Sequence, residues 1–121
     1  MQYDMKHLLP FKLHESATAF VQYPMSDEFV QLGVLNFMGY YDPATETAYP
    51  CMVDIHPSYK GKGTGRLLIE DFERWAREQG ARRIRSGYGA WGSAIGFWSK
   101  LGYKIAKRKN KEGAHDFVKE L

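Results

Sequence analysis

The spacing of hydrophobic and polar residues changes near the middle of the chain. Up to residue 55, apolar residues occur in short runs rich in Val, Phe and Tyr, and Pro, Asp or Ser follows each run. Such runs are typical of β-strands separated by turns. We therefore predict strands over residues 11–23, 29–41 and 47–55, with turns at 24–28 and 42–46.

A helical period comes next. Apolar residues recur three or four positions apart, at Leu68, Phe72, Trp75 and Ala76. This spacing predicts an amphipathic helix over about residues 65–79, which ends at Gly80. Ser93 is predicted to cap a shorter helix that carries Phe97 and Leu101 on one face.

The remaining segments complete one domain. Short β-favouring runs predict strands over residues 81–88, 103–107 and 114–121, the last two joined by a turn at 109–113. A meander of three strands, followed by helix, strand, helix and hairpin, calls for a mixed sheet. The predicted fold class is α/β in the α+β sense: a mixed, mostly antiparallel sheet with helices on its faces, in a single domain over residues 1–121.

Composition narrows the class of protein. The 44% hydrophobic content, with 15% aromatic residues, supplies enough apolar surface for one core. The single cysteine, Cys51, excludes an internal disulfide, and the four histidines show no metal-ligand spacing, so no metal site is expected. Neither a signal peptide nor a membrane span is evident, which predicts a cytoplasmic protein.

Basic residues cluster late in the chain. The formal net charge is +3, and the excess is concentrated at residues 82–85 and 104–111. A basic end of this kind suits anionic ligands. A nucleic-acid role would rest on this charge alone, because the chain carries no known nucleic-acid motif, and we do not expect one.

Glycines alternate between the third strand and the long helix, in residues 60–66 (KGKGTGR). Glycine lets successive backbone N–H groups converge, and the first N–H groups of a helix lack internal partners at the positive end of its dipole. A pyrophosphate would satisfy these groups. The P-loop pattern fails, because Gly63 stands where a Ser or Thr must hold magnesium. A dinucleotide pattern at 87–92 (GYGAWG) leaves too little chain after it for the required βαβ units.

These segments resemble the GNAT superfamily of N-acetyltransferases. The family's acetyl-coenzyme A loop reads R/Q-x-x-G-x-G/A before a helix, and residues 60–65 match it with Lys60 in the leading position. Residues 94–103 (AIGFWSKLGY) are similar to its second signature, A-x-x-F-Y-x-K-x-G-F. The resemblance extends from Phe29 to the C-terminus.

The resemblance implies acetyl-CoA as co-substrate and requires no metal. The coenzyme's pantetheine would lie between two splayed parallel strands, here those that end near Ile55 and Tyr88. Backbone groups would hold it, those of Val53 and Ile55 at the pantetheine and those of the loop at the pyrophosphate. The loop residues so implied are Lys60, Gly61, Lys62, Gly63, Thr64, Gly65 and Arg66.

The sequence does not identify the residue that would protonate the leaving thiolate. Trp98 occupies the position of the family's tyrosine acid, and an indole N–H donates a hydrogen bond without readily releasing its proton. Trp91 stands where an asparagine that contacts the coenzyme is common. Tyr88 and Tyr103 are nearby hydroxyls, although each is also typical of a structural tyrosine.

The sequence does not identify the general base that would accept the proton of the amine either. The family often uses an acid on the third strand, and Tyr49 occupies one such position. Alternation places Tyr49, Cys51, Val53 and Ile55 on one face of that strand and Asp54 on the other. A lone buried cysteine is usually a small hydrophobe rather than an acetyl carrier. The catalytic candidates are therefore Trp98, Tyr88 and Asp54.

The front of the chain is short for this family, which usually begins with a strand and two helices that wall the acceptor site. A shortened N-terminal region would leave one side of the sheet bare and favour a homodimer. We predict an N-acetyltransferase that transfers an acetyl group from acetyl-CoA to an amine-bearing acceptor of unknown identity. The alternative is a catalytically silent module that binds acyl-CoA and regulates a partner.

Overall fold

The computed structural model describes residues 17–23 and 33–121. The strands are β1 (Ala19–Tyr23), β2 (Val34–Asp42), β3 (Thr47–Ile55), β4 (Arg83–Arg85), β5 (Lys104–Lys109) and β6 (His115–Glu120). The helices are α1 (Thr64–Gln79) and α2 (Ser93–Lys100), and a 3-10 turn, Pro57–Tyr59, precedes α1. The predicted turn at 24–28 and the strand segments 11–16 and 29–32 lie outside the described residues.

The strands form a six-stranded sheet in the order β1-β2-β3-β4-β6-β5. Every neighbouring pair is antiparallel except β3 and β4, which are parallel. A parallel pair needs a crossover connection, and α1 supplies it. The prediction of a mixed, mostly antiparallel sheet is confirmed.

Helix α1 forms because its apolar residues lie on one face. Leu68, Phe72 and Ala76 are fully buried against the sheet, and the Phe72 ring meets Phe37 of β2 edge-on at 5.0 Å between centroids. Gly80 ends the helix in the left-handed conformation (φ 102°), where its N–H bonds to the last helical carbonyls. The predicted helix is confirmed.

Both helices pack on the same face of the sheet, where α1 and α2 share one core. The opposite face carries a smaller cluster that includes Phe20, Tyr40 and Tyr49. We expected this face to be bare, but these three side chains are only 4–7% exposed. This part of the face is therefore not bare, and the homodimer stays a prediction without that support.

Two predicted boundaries are wrong. The strand predicted over residues 81–88 has only three residues, because its chain leaves β3 after Ile84 and continues along β6 alone. Helix α2 begins one residue earlier than predicted, since Gly92 (φ 53°) occupies the cap position without a side-chain cap and Ser93 is the first helical residue. Within the described ranges, no helix has the length and apolar character needed to cross a bilayer.

Candidate coenzyme site

The parallel strands β3 and β4 separate after two paired positions, Thr47 with Arg83 and Ala48 with Ile84. Beyond them the Ser86 N–H donates to the Phe117 carbonyl of β6 at 2.9 Å, so the chain after β4 stays with β6. The edge of β3 that faces β4 is therefore left unpaired from Tyr49 onward among the described pairings. An open strand edge presents N–H and C=O groups that a ligand can bind.

A β-bulge lies in β3 beside this gap. Met38 of β2 pairs with Met52 and Gly39 with Pro50, so Cys51 is left without a partner. The extra residue reverses the alternation that follows, because two consecutive residues then oppose one on β2. Our prediction that Cys51, Val53 and Ile55 share the face of Tyr49 is therefore wrong for Val53 and Ile55.

The register after the bulge assigns the faces. Val53 pairs with Phe37, whose side chain lies in the helix-side core, and Ile55 reaches the start of α1. Asp54 pairs with Asn36 and is thereby placed on the face that carries Tyr49, the reverse of our prediction.

The gap itself is a cleft of about 270 Å³, which we call the gap cleft. Strands β3 and β6, the segment after β4 and one residue of α2 contribute its walls. Its lining residues are Pro50, Cys51, Val53, Gly87, Tyr88, Gly89, Trp91, Trp98 and Phe117.

Asn110 holds the wall of the gap cleft that carries Tyr88. Its Nδ2 donates to the Tyr88 carbonyl at 2.8 Å and to Asp116 Oδ1 at 2.9 Å, while its Oδ1 accepts two backbone N–H groups of the β5–β6 turn. Gly89 must be glycine here, since a Cβ at φ 104° would lie 2.8 Å from the His115 carbonyl oxygen. Sequence reasoning identified Asn110 only as a turn residue, because this role depends on a contact 22 residues away.

A second cleft, of about 420 Å³, lies beside the start of α1, and we call it the loop cleft. Gly61 and Gly63 adopt left-handed φ values of 78° and 83°, with nothing within 4 Å of where a side chain would begin. The N–H groups in the first turn of any helix have no intrahelical partner. In α1 no side chain caps them either. This is the arrangement that binds anions.

The loop residues divide into two groups. Among the predicted coenzyme residues, those that line the loop cleft are Val53, Ile55, Lys60, Gly61 and Gly65. Lys62, Gly63, Thr64 and Arg66 lie in the same loop and helix start but do not line the cleft. Lys62 extends over the Tyr59 ring, with its Nζ 5.8 Å from the centroid.

The two clefts share Val53 and Trp98 among their lining residues, so they adjoin, and we call the two together the groove. The groove runs from the start of α1 to the space between β3 and the segment after β4. Of the catalytic candidates, Tyr88 and Trp98 line the gap cleft and Asp54 lines the loop cleft.

The candidate acids differ in burial. Trp98 is 6% exposed, and its ring stacks on Phe117 with 4.1 Å between centroids. Tyr103 is in the core, where its hydroxyl donates to Glu73 Oε2 at 2.8 Å. Burial first, and then the charge of Glu73 and this hydrogen bond, raise the pKa of Tyr103 far above its usual value. Tyr88 is 40% exposed.

Cys51 lines the gap cleft, and burial raises the pKa of its thiol to about 12. The thiolate is the reactive form of cysteine, so this thiol is protonated and unreactive at neutral pH. In the described part of the chain, no group of His, Cys, Asp and Glu side chains is placed to hold a metal ion.

Comparison with known proteins identifies the family. The model of the acetyltransferase (GNAT) family matches residues 2–103. The chain therefore belongs to the GNAT acetyltransferase family, as its sequence resemblance predicts. A search of the curated proteins gives no match.

Solved structures agree with this fold. An acetyltransferase from Bacillus cereus is 18% identical with a TM-score of 0.66, over 97% of this chain and 85% of that one. A Bacillus subtilis acetyltransferase solved in complex with CoA is 17% identical with a TM-score of 0.57, over 83% and 86%. An acetyltransferase from Thermus thermophilus is 24% identical with a TM-score of 0.58, over 71% of this chain, which spans only 55% of that structure's length.

Proposed function

We propose that this protein is an N-acetyltransferase that transfers the acetyl group of acetyl-CoA to an amine. The observation that carries the proposal is the groove formed by the adjoining loop cleft and gap cleft. One end of this groove has an uncapped helix start and two left-handed glycines, and the other runs along an unpaired strand edge.

The coenzyme would bind along this groove in two parts. The N–H groups at the start of α1 would hold the pyrophosphate, and Lys60, which lines the loop cleft, would add positive charge. The pantetheine amides would bond to backbone groups of Val53 and Ile55 on the unpaired edge of β3. The Bacillus subtilis relative, solved with CoA, supports a coenzyme in this fold.

The acetyl group would then lie in the gap cleft. A neutral amine attacks the thioester carbonyl, a C–N bond forms, and collapse of the tetrahedral intermediate breaks the C–S bond and releases the CoA thiolate. Positioning of the two reactants supplies much of the rate. The amine must lose a proton, and the thiolate must gain one.

We assign these proton transfers to residues of the groove. Tyr88 is our candidate for the acid, because its side chain lines the gap cleft and carries a hydroxyl. Trp98 packs into the wall through its stacked ring, which suits a shaping role better than proton donation. Asp54 remains the candidate base because its side chain is exposed, although it lines the loop cleft next to the gap cleft and not the gap cleft itself.

Calorimetric titration with acetyl-CoA tests the proposal, with Gly63→Asp as the disabling variant. An aspartate at this open position puts a negative charge at the helix start, where the pyrophosphate would bind. Gly113→Asp is the matched control, because Gly113 has φ 78°, nothing within 4 Å of its Cβ position, and a place in the β5–β6 turn, which does not line the loop cleft. The same backbone strain then falls on both variants.

We expect micromolar binding by the unmodified protein, retained in Gly113→Asp and lost in Gly63→Asp. No binding by the unmodified protein would refute the proposal. If both variants lose acetyl-CoA binding equally, backbone strain rather than the negative charge at the loop causes the loss.

The packing of Trp98 at the family's tyrosine position favours the second candidate, a silent module that binds acyl-CoA. Binding of acetyl-CoA is expected for both candidates and does not distinguish them. Turnover of acetyl-CoA does. Release of CoA with any amine supports the enzyme, whereas tight binding without acetylation of a broad amine panel supports the module.

A further inference from the structure

A third cleft, of about 330 Å³, lies over β4, β6 and β5, and we call it the cationic cleft. In the sheet, Arg85 pairs with Val118, which pairs in turn with Lys104. Ile84 and Phe117, the neighbours of Arg85 and Val118, are buried in the helix-side core. Alternation therefore places this row of three side chains on the opposite face, with the two cations on either side of an apolar residue.

Neither of the two cations has a direct ionic partner. Among the described residues, neither Arg85 nor Lys104 forms an ion pair or a side-chain hydrogen bond. Nearby Arg83, in contrast, pairs with Glu120 at 3.4 Å. The one acid that lines the cleft, Asp116, accepts hydrogen bonds from Asn110 and from the Ser86 hydroxyl instead.

Edge protection explains only half of this arrangement. Lys104 lies on β5, an edge strand of the sheet, where lysine discourages pairing with other chains. Arg85 lies on β4, which has a neighbour on each side, so the same reason does not apply to it. Two cations and one carboxylate, which already accepts two hydrogen bonds, leave this concave space with a net positive charge that suits an anion.

The cationic cleft adjoins the gap cleft. Phe117 lines both of them. Arg85 also precedes Gly87 of the gap cleft by two residues, which limits the chain between them to about 7 Å. A small molecule could therefore place an amine in the gap and an anionic group between Arg85 and Lys104.

We propose that the cationic cleft binds an anionic group of the acceptor, so that the acceptor is a small amine that also carries a carboxylate or a phosphate. This inference rests on the proposed function, adds no chemical step to it, and names its substrate class. Arg85 would form a paired contact with two oxygens, and Lys104 would add a point charge.

Acetylation kinetics with paired amines test this inference. The pairs differ in one anionic group: phosphoethanolamine with ethanolamine for phosphate, and glutamate with glutamine for carboxylate. Each pair is measured with the unmodified protein and with Arg85→Gln, Lys104→Gln and Lys107→Gln. Lys107 is the matched control, because it is an exposed lysine of the same strand that does not line the cleft.

We expect the unmodified enzyme to prefer the anionic member of at least one pair, and the preferred pair identifies phosphate or carboxylate. Arg85→Gln and Lys104→Gln should each lower kcat/KM for that member about 10- to 100-fold, as expected for loss of a charged hydrogen bond, and leave the neutral member nearly unchanged. Lys107→Gln should change neither.

The outcome is separable from failure of the proposed function. Titration with acetyl-CoA should give the same affinity in the unmodified protein and in all three variants, because none of these residues lines the coenzyme groove. If acetyl-CoA binds and neutral amines are acetylated as well as anionic ones, the acceptor inference alone is overturned. If acetyl-CoA does not bind, both proposals fall.

Discussion

Two aromatic side chains of the gap cleft differ in what they can do. Trp98 packs against Phe97, Tyr103 and Phe117, so its ring is fixed in the wall. Tyr88 is substantially exposed, and its backbone is held by Asn110. A phenol can donate a proton that an indole retains. The residue at the family's usual acid position is thus the poorer acid of the two.

Replacing Tyr88 with Phe tests this assignment. If the hydroxyl protonates the leaving thiolate, kcat should fall about 100-fold or more, while the affinity for acetyl-CoA stays the same. Trp91→Phe is the control, since Trp91 is an exposed aromatic of the same cleft without a hydroxyl. Steady-state kinetics on both variants would show an unchanged kcat in Tyr88→Phe if another group, or water, is the acid.

At the scale of elements, the start of α1 is pressed against α2. A Cβ on Gly65 would lie 2.5 Å from Cε1 of Phe97, a distance that real Cβ atoms do not show. The glycine therefore allows the start of α1 and α2 to approach closely. It serves the groove by packing, in addition to the N–H group that the coenzyme would use.

Gly65→Ala should accordingly destabilise the fold by about 1–3 kcal/mol, because overpacking displaces Phe97. Gly96→Ala is its counterpart in α2, where nothing lies within 4 Å of the new methyl group. That change should stabilise the protein by roughly 0.5–1 kcal/mol, the usual gain of alanine over glycine inside a helix. Urea unfolding measures both, and a loss of stability in both variants would contradict the argument.

At the scale of the whole molecule, a buried polar cluster joins distant parts of the chain. Glu73 of α1 is 6% exposed and accepts the Tyr103 hydroxyl at 2.8 Å. Lys119 of β6 donates to the same carboxylate at 3.2 Å and to the Leu101 carbonyl at 3.0 Å. The cluster therefore connects β6, through Lys119, to Glu73 of α1 and to the Leu101 carbonyl at the end of α2.

Lys119→Met should reduce the free energy of unfolding by about 1–3 kcal/mol, because it leaves the buried carboxylate of Glu73 without its cation. Lys109→Met, a change at an exposed residue of β5 without an ion pair among the described residues, should stay within about 0.5 kcal/mol of the unmodified protein. Thermal or urea unfolding compares them. Similar losses in both variants would mean that the cluster adds little to stability.

The local pattern of residues was sufficient to predict much of the secondary structure. The period of Leu68, Phe72 and Ala76 specified α1, and the apolar run of residues 47–55 specified β3 with the observed ends. The alternating glycines before α1 predicted a loop with left-handed backbone at a helix start, and Gly61 and Gly63 have this conformation. These features depend on neighbours along the chain, which a sequence displays directly.

Only the tertiary structure decided how the site is arranged. The bulge at Cys51 depends on the register between β2 and β3, and it moved Val53 and Asp54 to faces that simple alternation assigns the other way round. Contacts between segments far apart in the chain decide three further features. These are the length of β4, the hydrogen bond from Asn110 to the Tyr88 carbonyl, and the row of side chains from Arg85 to Lys104. The sequence by itself therefore determined the family and the glycine-rich loop before α1, whereas contacts between distant segments decided the shape of the gap cleft and of the cationic cleft.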